Sequence, residues 1–135
     1  MAAVSSEADE PAERGILGGV DGIALGPGDG ERLPRGARFH RVLAELPELE
    51  AVELRFGPEF EGVEPHVHPD QADTFYVLDG EAEFTVGEET IRVGPGGYLA
   101  APAGVRHGFR NAGDGELRLL NVHVPNTGFV ADLRG

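Results

Sequence analysis

The chain has no cysteine, no tryptophan and no lysine. Without cysteine, disulfides, thiolate metal ligands and thiol nucleophiles are all excluded. Basic residues are scarce: eleven arginines stand against twenty-four acidic residues, a formal charge of −13. Such a surface repels phosphate backbones and anionic lipid at long range, so neither nucleic acid nor a membrane is expected as a partner. Long hydrophobic runs are also missing, none approaching the roughly 20 residues a membrane-spanning helix needs. The first residues, "MAAVSSEADEPAER", lack the basic start and apolar run of a signal peptide, and the expected location is the cytoplasm. At 135 residues and 14.3 kDa the length suits one domain.

What the chain has in abundance is glycine and proline, 21 and 10 residues, which punctuate it at short intervals and leave no room for a helix of more than a turn or two. Residues 1–14 are acidic and poor in large apolar side chains, and are expected to form a tail, with a single domain over 15–135. Residues 15–36 are rich in glycine and suit a loop or an irregular strand at a sheet edge. Beyond them lie about nine short apolar or alternating runs: Phe39–Ala44, Leu49–Phe56, Val63–His68, Asp73–Leu78, Ala82–Val86, Thr90–Val93, Tyr98–Ala101, Val105–Arg110 and Leu117–Val124. A tenth is expected from Phe129. Many short strands with turn residues between them indicate an all-β sandwich or barrel.

Asp79-Gly80 reads as a two-residue hairpin turn pairing the strands on either side. By alternation Asp73, Phe75 and Val77 then share a face with Ala82, Phe84 and Val86, while Thr74, Tyr76 and Leu78 point the other way. Asp73 is the lone carboxylate of an apolar face, costly to bury without a cation or hydrogen-bond donors. His66 and His68, two apart on the preceding strand, also share a face, so two imidazoles and a carboxylate can converge inside the barrel. The bland readings are two half-exposed histidines, and an aspartate that accepts backbone amides or pairs with an arginine. His107 alternates with Val105 and Phe109, which places a third imidazole among core residues.

These residues resemble the two motifs of the cupin superfamily, in particular its small single-domain, RmlC-like jelly-roll members. The first motif, G-x5-H-x-H-x(3,4)-E-x6-G, is met by His66, His68, Asp73 and Gly80, with two departures: three residues rather than five separate Gly62 from His66, and aspartate replaces glutamate. The second, G-x5-P-x-G-x2-H-x3-N, is met in full by Gly96, Pro102, Gly104, His107 and Asn111. The resemblance, over 62–80 and 96–111, implies a double-stranded β-helix. It also implies a divalent transition metal held by His66, His68, Asp73 and His107. Three imidazoles and a carboxylate suit Fe, Mn, Ni, Co or Zn. Asp73, one methylene shorter than glutamate, either ligates directly, acts through a water, or hydrogen-bonds a liganding histidine, and Asp70 and Gln71 lie in the same loop.

Phe75, Val77, Phe84 and Phe109 are expected to line a substrate pocket. His40, and His123 with Asn121, either point into the barrel as pocket residues or, the preferred reading, are ordinary strand-face or hydrogen-bonded groups, while Arg106 and Arg110 are expected to face away from the metal and Tyr76 and Tyr98 to pack. The expected function is a small metal-dependent oxygenase acting on an enolisable or phenolic small molecule; the alternatives are a sugar or keto-acid isomerase and a non-catalytic ligand-binding module. Tyr76, Leu78 and the glycine-rich segment suggest a homodimer.

Overall fold

The computed structural model describes residues 21–135. Residues 1–14, expected to form a tail, and 15–20 of the glycine-rich stretch lie outside the described residues. Ten strands follow in order: β1 (Arg32–Arg35), β2 (Arg38–Glu45), β3 (Glu50–Phe56), β4 (Val63–His66), β5 (Ala72–Asp79), β6 (Ala82–Val86), β7 (Glu89–Val93), β8 (Tyr98–Ala101), β9 (His107–Asn111) and β10 (Leu117–Val124). Among the described residues there is one short helix, α1 (Phe129–Arg134), after β10. The strands form two antiparallel sheets, β1-β2-β3-β10-β5-β8 and β4-β9-β6-β7. This is the all-β jelly-roll class, with the two sheets facing each other. Part of the glycine-rich stretch is the edge strand β1, paired with the chain's own β2.

Alternation decides what lies between the sheets. Val52, Leu54 and Phe56 of β3, Phe75 and Val77 of β5, Phe84 of β6, Phe109 of β9, and Leu117 and Leu119 of β10 are all buried. Each contributes roughly 1.5–3 kcal/mol by leaving water. Phe75 from one sheet meets Phe84 and Phe109 from the other, with ring centroids 5.1 and 5.3 Å apart in tilted contact. That aromatic layer is the floor on which the site rests.

Two sequence expectations are corrected. Asp79-Gly80 is not a hairpin turn. Asp79 pairs with Arg118 in the six-stranded sheet, whereas Ala82 pairs with Val93 and Asn111 in the other. The turn is a corner that carries the chain between sheets, and Gly80 serves it with φ +83° in a place where a Cβ would lie 2.4 Å from the Glu116 carbonyl oxygen. The inward facing of Asp73, Phe75, Val77, Ala82 and Phe84 survives, because each strand presents its apolar face to the same interior. The second correction is at Phe129, which begins a helix, not a strand. Phe129 and Leu133, one turn apart, and buried Val130 turn the same way toward the core, and the Glu50 carboxylate on β3 accepts hydrogen bonds from the Phe129 and Val130 amides, at 3.2 and 2.9 Å. A carboxylate on the first free amides of a helix replaces the cap that Gly128 cannot supply.

Candidate metal centre

Asp73 opens the inward face of β5, opposite Ala101 of β8 and His123 of β10. His107 opens β9 and pairs across the ladder with His66, the last residue of β4. Gly108 permits that pairing: a Cβ there would lie 2.5 Å from the Val63 carbonyl oxygen and 2.8 Å from the Pro65 nitrogen. His68 follows two residues after β4. One ligand atom from each of His66, His68, Asp73 and His107 falls within 4.8 Å of the others.

Backbone carbonyls fix the ring orientations. His66 Nδ1 lies 2.9 Å from the Glu64 oxygen and His107 Nδ1 lies 2.9 Å from the Val105 oxygen. A carbonyl only accepts, so each Nδ1 carries hydrogen and donates; in the neutral ring each Nε2 then offers a lone pair. Those lone pairs point inward, with His66 Nε2 at 3.0 Å from His68 Nε2 and His107 Nε2 at 2.9 Å from Asp73 Oδ2. A ring lone pair facing a carboxylate oxygen at 2.9 Å requires a proton or a metal ion between them, and His66 Nε2 is met at 3.0 Å either by an N–H of neutral His68 or by an ion that the two rings share. The donor set therefore fits a divalent ion that takes nitrogen and oxygen ligands.

Asp73 is buried, and burial alone would raise its pKa; hydrogen bonds from His107 and His123, the charge of His123 and the Asn121 amide outweigh it and hold the carboxyl well below the usual range. His107 moves the other way: burial lowers its pKa, but its bond to Asp73 and its Val105 contact raise it above the ordinary histidine value. His68 is pushed down, first by burial, with the neighbouring histidines adding to the effect and Asp73 opposing it.

Behind these four stands a second tier that the sequence indicated only in part. Asp73 Oδ1 accepts from Asn121 Nδ2 at 2.7 Å and lies 3.0 Å from His123 Nε2, leaving Oδ2 for the histidines. His123 Nδ1 in turn lies 3.4 Å from Glu50 Oε1. Glu50 was not anticipated. Its signal was present, since it shares the inward face of β3 with Val52, Leu54 and Phe56, as Asp73 shares its own face with Phe75 and Val77. Gln71 is turned away, its amide donating to the Pro125 carbonyl at 3.0 Å and to Thr127 Oγ1, and Asp70 is exposed.

The four residues form one end of a cavity of about 170 Å3. Leu54, Phe56, Val63, Phe75 and Phe109 make its apolar wall, Phe129 and Leu133 of α1 one side, and Asn121, His123, His40 and Arg35 its remaining polar lining, so both His40 and His123 are pocket residues as well as hydrogen-bonded ones. Of the four expected pocket residues, Phe75 and Phe109 line this space; Val77 and Phe84 are packed in the core behind it. Tyr76 and Tyr98 are exposed on the outer face of the six-stranded sheet, and Arg106 and Arg110 also face solvent.

The model of the family described as "Cupin domain" matches residues 52–123, more than half of the chain and every residue of the centre except Glu50. The chain belongs to the cupin family. Among curated proteins this cupin is similar to quercetin 2,3-dioxygenase of Bacillus subtilis (strain 168), 30% identical over 89 residues, which are 64% of this chain and 26% of that protein. It is also similar to the polyketide synthase CurC of Streptomyces cyaneus, 35% identical over 60 residues, 44% of this chain and 39% of that one. The chain thus spans well under half the length of either relative. Among solved structures, KdgF from Halomonas sp. superposes with a TM-score of 0.60 at 26% identity, covering 65% of this chain and 78% of that one. An RmlC-like cupin from Shewanella frigidimarina NCIMB 400 gives 0.63 at 22% identity, covering 73% and 86%, and supports the fold alone.

Proposed function

We propose that this cupin is a metal-dependent oxygenase acting on a small enolisable or phenolic molecule. The observation that carries the reading is the convergence of three imidazoles and one carboxylate, donor atoms inward, at the end of a cavity walled by aromatic and aliphatic side chains. Similarity to a quercetin 2,3-dioxygenase supports the same reaction class. A divalent metal bound by His66, His68, Asp73 and His107 would supply Lewis acidity and an attachment point for a substrate oxygen. The protein's own part is defined by its side chains. Phe75 and Phe109 exclude water from one flank of the bound molecule and present ring faces to a planar substrate. Asn121 and His123 keep Asp73 ionised and aimed.

Oxygen uptake by chain reconstituted with each of Fe, Mn, Ni, Co and Zn, against a panel of catechols, flavonols and β-diketones, tests the proposal. Consumption of oxygen matched by substrate loss is expected with at least one metal. Substrate rearrangement without oxygen uptake would replace the oxygenase with an isomerase, and tight binding without turnover would replace it with a binding module.

A further inference from the structure

His40 lies at the far end of the cavity from the metal centre and takes no part in it. It is buried on β2, its ring edge against Phe56 at 5.2 Å between centroids. The Arg55 backbone N–H donates to His40 Nδ1 at 3.1 Å. That bond settles the tautomer. A nitrogen that accepts from an amide bears no hydrogen, so the neutral ring carries its hydrogen on Nε2. Burial, assisted by the charge of nearby Arg35, pulls the pKa of His40 down to about 4 and keeps the ring neutral at physiological pH. Nε2 has no hydrogen-bond partner among the described residues, and His40 lines the cavity. The ring is thus a fixed single N–H donor beside the apolar side chains of Leu54 and Phe56.

Arg35 lines the same cavity beside it and forms no ion pair among the described residues. It also lines an adjoining cleft with Arg38 and Arg55, but those two are ion-paired, Arg38 with Glu59 and Glu116 and Arg55 with Glu53, so Arg35 is the guanidinium of this end that lacks a counter-ion among the described residues. A guanidinium without a counter-ion at a cavity mouth attracts an anion. His40 stands one residue beyond the Arg41–Glu53 pair, level with Leu54, and Leu54 is four residues along β3 from Glu50, which pairs with His123. At about 3.3 Å per residue the two polar ends are roughly 13 Å apart along the strand, with both sets of side chains reaching into the space between.

We infer that His40 and Arg35 form a carboxylate-reading subsite, and that the ligand of this cavity is an elongated monoanion: a metal-binding oxygen at one end and a carboxylate at the other that accepts from His40 Nε2–H and pairs with Arg35. This deepens the oxygenase reading by naming the substrate class and rests on it for the metal-binding end alone.

The test uses caffeate, which carries a catechol and a carboxylate at opposite ends, and its uncharged methyl ester. Both are titrated anaerobically into the full chain loaded with Co(II), by calorimetry and by the visible spectrum of the ion. Caffeate is expected to bind at least tenfold more tightly than the ester. Arg35→Gln, at an exposed position, and His40→Phe should each bring that ratio close to one while changing ester affinity less than threefold. His40→Gln, which keeps an acceptor for the Arg55 amide and a donor toward the cavity, should retain most of the ratio. Equal affinity for the two probes in the unmodified chain, no binding of either up to millimolar concentration, or a preference that survives both Arg35→Gln and His40→Phe would overturn the inference. A caffeate preference without oxygen uptake would sink the oxygenase and leave the subsite standing; oxygen uptake with no preference would do the reverse.

Discussion

Replacing Glu50 by alanine should cost about 3 kcal/mol and detach the C-terminal helix from the cavity. The side chain of Glu50 is fully buried and accepts the Val130 amide at 2.9 Å and the Phe129 amide at 3.2 Å. A buried donor left without an acceptor costs about 1–3 kcal/mol. Val130 N–H, in a buried bond, incurs the upper part of that range, and Phe129 N–H, partly accessible to water, the lower. Six residues of helix do not sustain themselves in water, so α1 depends on these bonds, on the burial of Val130 and on the Arg134 ion pairs with Glu31 and Glu45. Urea denaturation of metal-free protein measures the loss, and amide exchange at Val130 locates it. Glu50→Gln, which keeps one acceptor oxygen, should cost about half as much. If Glu50→Ala unfolds within about 0.5 kcal/mol of the unmodified chain and Val130 stays protected, the capping argument is wrong, since that spread is what an inconsequential surface change produces.

Alanine at His66, His68 or His107 should abolish stoichiometric metal in protein purified without an affinity tag, read by elemental analysis; full occupancy in all three would rule the centre out. Asn121→Ala and His123→Ala, which touch Asp73 but are not among the four convergent ligands, should weaken metal affinity by roughly 10–100-fold without abolishing it. His40 makes stability pH-dependent: its folded-state pKa of about 4 lies below the ordinary 6.5, so its contribution is complete above pH 6.5 and is lost as pH falls toward 4. The 2.5 units between 6.5 and 4 correspond to about 3 kcal/mol, and the stability difference between the unmodified chain and His40→Gln should shrink by about that much over this window and stay level below it. Tyr76, Leu78 and Tyr98 expose apolar surface on one sheet face, and a homodimer is expected to cover it; light scattering at micromolar concentration showing 14.3 kDa throughout a dilution series would refute the dimer.

Strand positions were legible in the sequence where period-two alternation was strong. Tyr98–Ala101, Ala82–Val86 and Leu117–Val124 have the same bounds in the structure as in the pattern. Alternation also revealed that Asp73 and His107 face inward, because each interrupts an apolar face. What alternation does not encode is which strand pairs with which. Asp79-Gly80 carries the same local signal in a hairpin and in a corner, and the choice lies with β10 and β8, which flank β5, and β9 and β7, which flank β6. Phe129-Val130 reads as strand for a similar reason, since the carboxylate that makes it helical belongs to Glu50, 79 and 80 residues away. β1, "RLPR", buries only Leu33 and so offers no alternation to detect.

The convergence of His66 and His107 from one sheet with Asp73 from the other has a mechanical side. An ion held there would rivet the two sheets together between Asp73 and His107, 34 positions apart in sequence, in a protein that has no cysteine with which to make a permanent rivet. Such a fastening is reversible and graded. Above the dissociation constant, each tenfold rise in free ion adds about 1.4 kcal/mol to the folded state, so the thermal endurance of the fold would track the metal supply of its surroundings.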